Sequence, residues 1–301
     1  VGREIKHVET PCWAGNSTGR LPLVLSAVTQ GVVGEDEGGH SLNHRDGTML
    51  HLADGFWNIR GDFRVAKLLN VGTQMSLVRR PNGRFLLLDS YAADNDTLRA
   101  IRAQTDDGKR IDAVLNVHPF HTVHCEFAQD FVPHARLIGT RRHHLRSPEL
   151  NWDPALIEDA ATQDEFSDTL EFSIPAGIEL IPDDESVHVG SIIARHRASR
   201  IVHVDDTLNA FDLPSLVEKI MSGPDLRFHP KLADGLEKRA GAADDYIAWA
   251  KRLGAAWRET PIVCAAHNSI LHLNNHDFAA AIDAALADSQ KTLDKHRQQF
   301  G

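Results

Sequence analysis

Three histidines stand three residues apart in Asn116-Val117-His118-Pro119-Phe120-His121-Thr122-Val123-His124, where the apolar run Ile111–Val117 ends. Imidazole is the commonest protein ligand for metals and carries protons near neutral pH. Three of them in one tight turn can converge on one or two cations, and Zn2+ accepts such a set without a strict geometric demand. The plainer reading is a surface loop rich in histidine. The apolar strand ahead of the loop anchors it and favours the ligand reading. Histidine is abundant throughout, with 18 in 301 residues, and six of them (His118, His121, His124, His134, His143 and His144) fall between 118 and 144.

Three later segments deliver further polar groups beside apolar strands. Asp183-Asp184-Glu185-Ser186-Val187-His188 precedes one strand, and alone His188 reads as an ordinary hydrogen-bonding residue. Arg200-Ile201-Val202-His203-Val204-Asp205-Asp206-Thr207 ends in two carboxylates. These are costly to desolvate unless a cation or donors meet them. A helix cap is the plain reading of Asp206, and a metal bridge suits Asp205. Pro261-Ile262-Val263-Cys264-Ala265-Ala266-His267 brings His267 to the end of a last short strand.

The elements that must position these groups follow from periodicity. Met49–Leu52 and Phe56–Ile59 alternate like strands. Asn70–Val78 and Phe85–Asp89 read as a hairpin whose Asn82-Gly83 is a strong turn signal. Asp94–Ala103 reads as a capped helix, Ile111–Val117 as a buried strand, Thr122–Phe131 as a helix and Ala135–Gly139 as a strand. Thr169–Ile174, Gly177–Ile181, Ser191–Ala194 and Arg200–Val204 return to strand character. Residues 213–258 are mostly helical, and Asp277–Phe300 is a long final helix. Strand, loop, helix and strand in succession define a layered α/β fold. Residues 1–47 read as an irregular arm packed on the body.

Composition bounds the rest. Charged residues make up 25% and hydrophobic residues 42%, an ordinary globular balance. A chain this long needs no metal for bulk stability, so any metal would be functional. Lys+Arg is 32 against Asp+Glu 42, a net charge of −10. That charge repels phosphate backbones and speaks against nucleic acid as a partner. No apolar run is long enough for a bilayer. The opening VGREIKHVETPCW lacks the apolar core of a secretory signal, and Cys12, Cys125 and Cys264 form no disulfide pattern. A reducing, cytoplasmic setting is the expectation.

The order of these features resembles the metallo-β-lactamase fold superfamily over roughly residues 48–275, with 213–258 as a helical insertion. The hairpin ending in FLLLD looks like that family's opening strands. The resemblance implies a four-layer αββα sandwich as a domain of residues 48–301, with a metal site at one edge of the two sheets. It implies metal ligation by His118, His121, His124, His188, Asp205 and His267. The first two and His188 would hold one cation, His124 and His267 a second, and Asp205 would bridge. The family cluster reads His-x-His-x-Asp-His, whereas here it is His-x-x-His-x-x-His, and Val123 stands where the aspartate would be.

The expected activity is a metal-dependent hydrolase using metal-activated water on a small ester, lactone or amide. Zn2+ is the expected cofactor, with one or two ions, and iron or manganese also suit the ligands. Without the motif aspartate, the catalytic roles fall to Asp205, Glu126 as a substitute base, and His143 as a rim residue for substrate contact or proton donation. Arg141 and Arg142 would pair with an anionic group on the substrate. Two other readings keep the scaffold: a di-iron redox enzyme, and a non-catalytic metal-binding protein. A homodimer is the assembly expected on frequency alone.

Overall fold

The computed structural model describes residues 49–61, 64–65, 69–70, 72–210, 224–266, 270–273 and 277–301. The expected arm at 1–47 and His267 lie outside the described residues.

The first sheet is built from β1 (Met49–Ala53), β2 (Phe56–Gly61), β5 (Thr73–Arg79), β6 (Phe85–Leu88), β7 (Ile111–Leu115), β8 (Arg136–Gly139) and β9 (Trp152–Leu156), side by side in that order. A minor pair, β3 (Arg64–Val65) and β4 (Leu69–Asn70), lies between β2 and β5 in sequence. The β1 to β6 neighbours run antiparallel, and β6, β7, β8 and β9 run parallel. Helix α1 (Asn95–Gln104) starts at Asp94, whose carboxylate accepts from the Thr97 N–H at 2.7 Å. Helix α2 (Cys125–Phe131) connects β7 to β8.

The second sheet orders β10 (Leu170–Ser173), β11 (Ile193–His196), β12 (Val202–Val204), β15 (Ile262–Ala265) and β16 (Ile270–His272). Only β12 and β15 are parallel in it. A small ladder of β13 (Leu208–Ala210) and β14 (Leu226–Phe228) stands beside it. The remaining helices are α3 (Arg141–Arg146), α4 (Ala160–Glu165), α5 (Leu232–Gly235), α6 (Ala242–Ala256) and α7 (Phe278–Phe300).

Strand periodicity assigns the layers. In β6, Leu86 and Leu88 face the second sheet, while Phe85 and Leu87 face the helices. The layer between the sheets joins Phe56, Val78, Leu86, Leu88 and Leu115 to Ile192, Ala194, Ile201 and Cys264. Outside the first sheet, Leu98 and Ile101 of α1 and Ala128 of α2 cover Leu77, Leu87 and Val114. Outside the second, Tyr246, Trp249 and Leu253 of α6 and Ile282, Leu286 and Leu293 of α7 cover Ile193, Val202, Val204 and Val263. The result is an αββα sandwich. Burying each of the larger aliphatic and aromatic side chains here contributes roughly 1.5–3 kcal/mol.

Two expected elements differ. Gly177–Ile181 is irregular, with one bridge from Ile178 to Leu236. Gly177 sits at φ +75°, and a Cβ there would meet the Ala242 carbonyl oxygen, so the chain turns where a strand was expected. Within 213–258, expected as mostly helical, Leu226–Phe228 instead forms β14 against β13. Helix α3 is capped by Thr140.

Candidate metal centre

The site forms where parallel strands of both sheets end. Asp89 follows β6, the His118 turn follows β7, and Asp205 and Asp206 follow β12. Carboxyl ends of parallel strands are where such sheets place reactive groups. Asp89 adopts φ 60°, which an aspartate tolerates better than most residues. That bend lets its Oδ1 accept from the Val117 N–H at 2.8 Å, with the His118 N–H at 3.4 Å. A turn closed by His121 N–H to the His118 carbonyl at 3.1 Å then presents both imidazoles.

The His118 and His121 rings stack, 4.0 Å between centroids at 14°. His118 Nδ1 accepts from the Phe120 N–H at 3.0 Å, and its Nε2 lies 2.9 Å from Asp206 Oδ2. His121 Nδ1 lies 2.8 Å from Asp205 Oδ2. Among the described residues two groups of donor atoms converge: His118, His121 and Asp206, and beside them Asp89, His203 and Asp205, with each group's atoms within 4.8 Å of one another. All three carboxylates are 1% exposed, which is costly without positive charge or donors nearby.

The electrostatics follow from that crowding. Burial works against a charged His121, yet the Asp205 charge and contact, helped by Asp206 and Asp89, raise its pKa to about 9. Burial would likewise raise Asp205, but His121 outweighs it and holds this carboxyl well below the usual range. Asp89 goes the other way: burial and then the Asp205 charge push it up, against the hydrogen bond from His203. His203 Nε2 lies 2.8 Å from Asp89 Oδ2.

The expected residues are distributed unevenly. His118, His121 and Asp205 come together. His188 stands at the rim, its Nε2 4.0 Å from Asp206 Oδ2, with Phe120 and His229 as ring neighbours at 5.7 and 6.2 Å. Burial lowers its pKa to about 4. His124 opens α2 edge-on to Tyr91; burial and then the charge of His121 lower its pKa, and its buried Nε2 has no hydrogen-bond partner. Neither residue belongs to the two groups. Glu126 is exposed on α2, also outside both, as is Val123 at 70%.

His143 is buried on α3, with Nδ1 accepting from the Thr140 N–H at 3.0 Å and its ring tilted against Trp152. Burial, then His118, lower its pKa to about 3. Arg142 is buried too. It lies 4.1 Å over the Phe120 ring, donates to the Pro119 carbonyl at 3.1 Å, and pairs with Glu185 at 3.2 Å. It thus braces the His118 turn.

Asp206, Asp89 and His203 were not among the expected ligands. Asp206 was read as a helix cap, but β13 follows it and its carboxylate turns inward to His118. The signal for His203 was its place between Val202 and Val204: if those two face the helices, His203 must face the other sheet.

The donor set suits a divalent cation. Imidazoles and carboxylates converge, and buried Asp205 Oδ2 accepts no well-aligned hydrogen bond although His121 Nδ1 is 2.8 Å away.

No protein-family profile and no curated protein matches the sequence. Solved structures match the fold. The metallo-β-lactamase from Hirschia baltica is 16% identical with a TM-score of 0.50, covering 79% of this chain and 98% of that one. FIM-1 from Pseudomonas aeruginosa, a metallo-β-lactamase in its mono-zinc form, is 11% identical with a TM-score of 0.52, covering 83% and 97%. TMB-1 is 12% identical with a TM-score of 0.54, covering 82% and 100%. The chain has the metallo-β-lactamase fold. No helix among the described residues is long and apolar enough to cross a membrane.

Proposed function

We propose that the protein is a metal-dependent hydrolase that holds a cation, zinc in the first instance, with His118, His121 and Asp206, and acts on a small organic ester, lactone or amide. The convergence of those three donor atoms within 4.8 Å, at the strand ends of a metallo-β-lactamase fold, carries the reading. A bound cation polarises the scissile carbonyl and brings bound water toward a neutral pKa.

The residues around it have separate tasks. His118 Nε2 and Asp206 Oδ2 share a hydrogen at 2.9 Å, and both residues would have to give it up to serve as ligands. Asp205 Oδ1 is engaged by the Gln74 amide at 3.1 Å and Oδ2 faces His121 Nδ1 at 2.8 Å, so with His121 taken up as a ligand Oδ2 would be the oxygen placed to take a proton from attacking water. That assigns Asp205 the base role that Glu126, exposed on α2, is poorly placed to fill. His188 at the rim is the further imidazole for the cation or the substrate. In the second group His203 is engaged by Asp89 and Ser76, which suits it to bracing the His118 group.

Elemental analysis of purified protein, beside Asp206→Ala and His121→Ala, tests the reading. About one zinc per chain, lost in both variants and accompanied by turnover of an ester and lactone panel, is expected. Zinc without turnover on any carbonyl substrate would leave a metal-binding role. No metal after reconstitution would overturn the proposal.

A further inference from the structure

Four polar side chains interrupt the apolar layer between the sheets. Asn58 and Arg60 lie two apart on β2, and Ser76 and Gln74 are their partners across the β2–β5 ladder. Side chains two apart on a strand share a face, so all four point toward the ends of β12 and β15. Asn58 and Ser76 are fully buried, and Gln74 is 2% exposed.

The directions of the hydrogens in this set follow from its two ends. A guanidinium can only donate. Arg60 Nη1 lies 3.1 Å from Gln74 Oε1, and Arg60 also donates to the Ala265 and Ala266 carbonyls at 2.7 and 3.2 Å. Gln74 must therefore turn its oxygen to Arg60 and its amide hydrogens away. Those hydrogens meet groups that only accept: the Val204 carbonyl at 2.9 Å, the Cys264 carbonyl at 3.0 Å and Asp205 Oδ1 at 3.1 Å. Asn58, 3.0 Å from Gln74 Oε1, must then offer its amide nitrogen, which also donates to Ser76 Oγ at 3.0 Å. Ser76 Oγ accepts that hydrogen and keeps one of its own to give, 2.9 Å from His203 Nδ1. At the far end His203 Nε2 lies 2.8 Å from Asp89 Oδ2; an ionised carboxylate only accepts, so Nε2 carries the hydrogen and Nδ1 accepts from Ser76. Asp89 in turn holds the Val117 amide that begins the His118 turn.

We propose that Arg60 is a positioning residue: through Gln74, Asn58 and Ser76 it acts with Asp89 to hold His203 as the Nε2–H tautomer, so that Asp89 keeps its grip on the His118 turn and Asp205 keeps Oδ2 turned to His121. The tautomer part stands on the hydrogen-bond geometry alone. The zinc part rests on the metal-dependent reading of the site.

Nitrogen-15 spectra of the histidine rings in metal-free protein test the first part, with the His203 signals assigned by their loss in His203→Gln. Wild type is expected to show a single Nε2–H tautomer. Arg60→Lys, which still donates, should keep it. Arg60→Met and Ser76→Ala should lose it, and the Val117 amide should exchange faster with solvent. Zinc affinity, by competition with a chromophoric chelator, should fall about 10–100-fold in Arg60→Met and stay near wild type in Arg60→Lys. Ser76→Ala, which removes one hydroxyl, covers the case in which Arg60→Met fails to fold.

A wild-type His203 protonated on Nδ1 or on both nitrogens overturns the proposal. So does an Arg60→Met protein with unchanged tautomer and zinc affinity. Wild type that binds no zinc, yet shows the tautomer and its dependence on Arg60, supports the positioning role and overturns the hydrolase reading instead.

Discussion

The rings of His118 and His121 stack 4.0 Å apart, yet each faces a different carboxylate: His118 meets Asp206, and His121 meets Asp205. Two residues adjacent in sequence thereby serve two histidines three apart. The pairs are not equivalent. The Asp206 pair is fully buried, while His121 keeps 26% of its side chain exposed at the mouth of the site.

Removing one member of the buried pair should abolish cation binding. His118→Ala and Asp206→Ala are each expected to weaken zinc affinity by on the order of 100-fold or more, beyond the cost typical of residues one layer out. Glu126→Gln, on the exposed face of α2, should leave affinity unchanged. Calorimetric titration of metal-depleted protein measures both, and a zinc affinity unmoved in Asp206→Ala would remove Asp206 from the ligand set.

Alkali should weaken the metal-free fold. The pKa of His121 is raised to about 9, above the ordinary value of 6.5. Its protonated ring stabilises the native state fully below about 6.5, and this is lost as pH rises through about 9. The melting temperature of metal-free protein should decline across that window. In His121→Gln the decline should flatten; an equal decline there would assign it to another group.

Acid acts through a different residue. His143 is held neutral, with its pKa lowered to about 3 by burial. Between about 6.5 and about 3 the unfolded chain binds a proton that the native state refuses, so stability falls as pH drops. His143→Gln, whose amide oxygen can still accept from the Thr140 N–H, should resist acid unfolding better than wild type. Denaturant titrations at pH 5 and 7 would show it.

Damage to the outer layer should spare the site. Ile101 on α1 is fully buried beneath the first sheet. Ile101→Ala is expected to cost about 2–5 kcal/mol in unfolding free energy. Its zinc stoichiometry should equal wild type, and a loss of metal without loss of stability would contradict the layering.

How much of this was legible in the sequence depends on where each residue sits. The turn that carries His118 and His121 was readable because an apolar strand points at it, and the Asn82-Gly83 hairpin was readable from its turn chemistry. The strands of Phe85–Leu88 and Ile262–Ala265 announced themselves by apolar runs. Asp206 was misread because a carboxylate after a strand looks like a cap until the next element proves to be β13. His203 and Asp89 were hidden for a different reason. Their partners Ser76 and Val117 lie 127 and 28 residues away, and no local pattern encodes a contact across two sheets. Helix α3 escaped because Arg141-Arg142-His143-His144 carries no apolar stripe; its buried face is made of Arg142 and His143.

The Gln74 amide reaches Asp205 and the Cys264 carbonyl, 131 and 190 residues further along the chain. Contacts so distant in sequence form only after both halves of the polypeptide have been ordered. A cation seat braced by these contacts would therefore form late in folding, and neither half expressed alone should capture a cation. Uptake of the proposed cation would then be a clock for the last stage of folding: an ion that binds only the finished architecture would favour it by mass action, and its arrival would mark the moment the two sheets close.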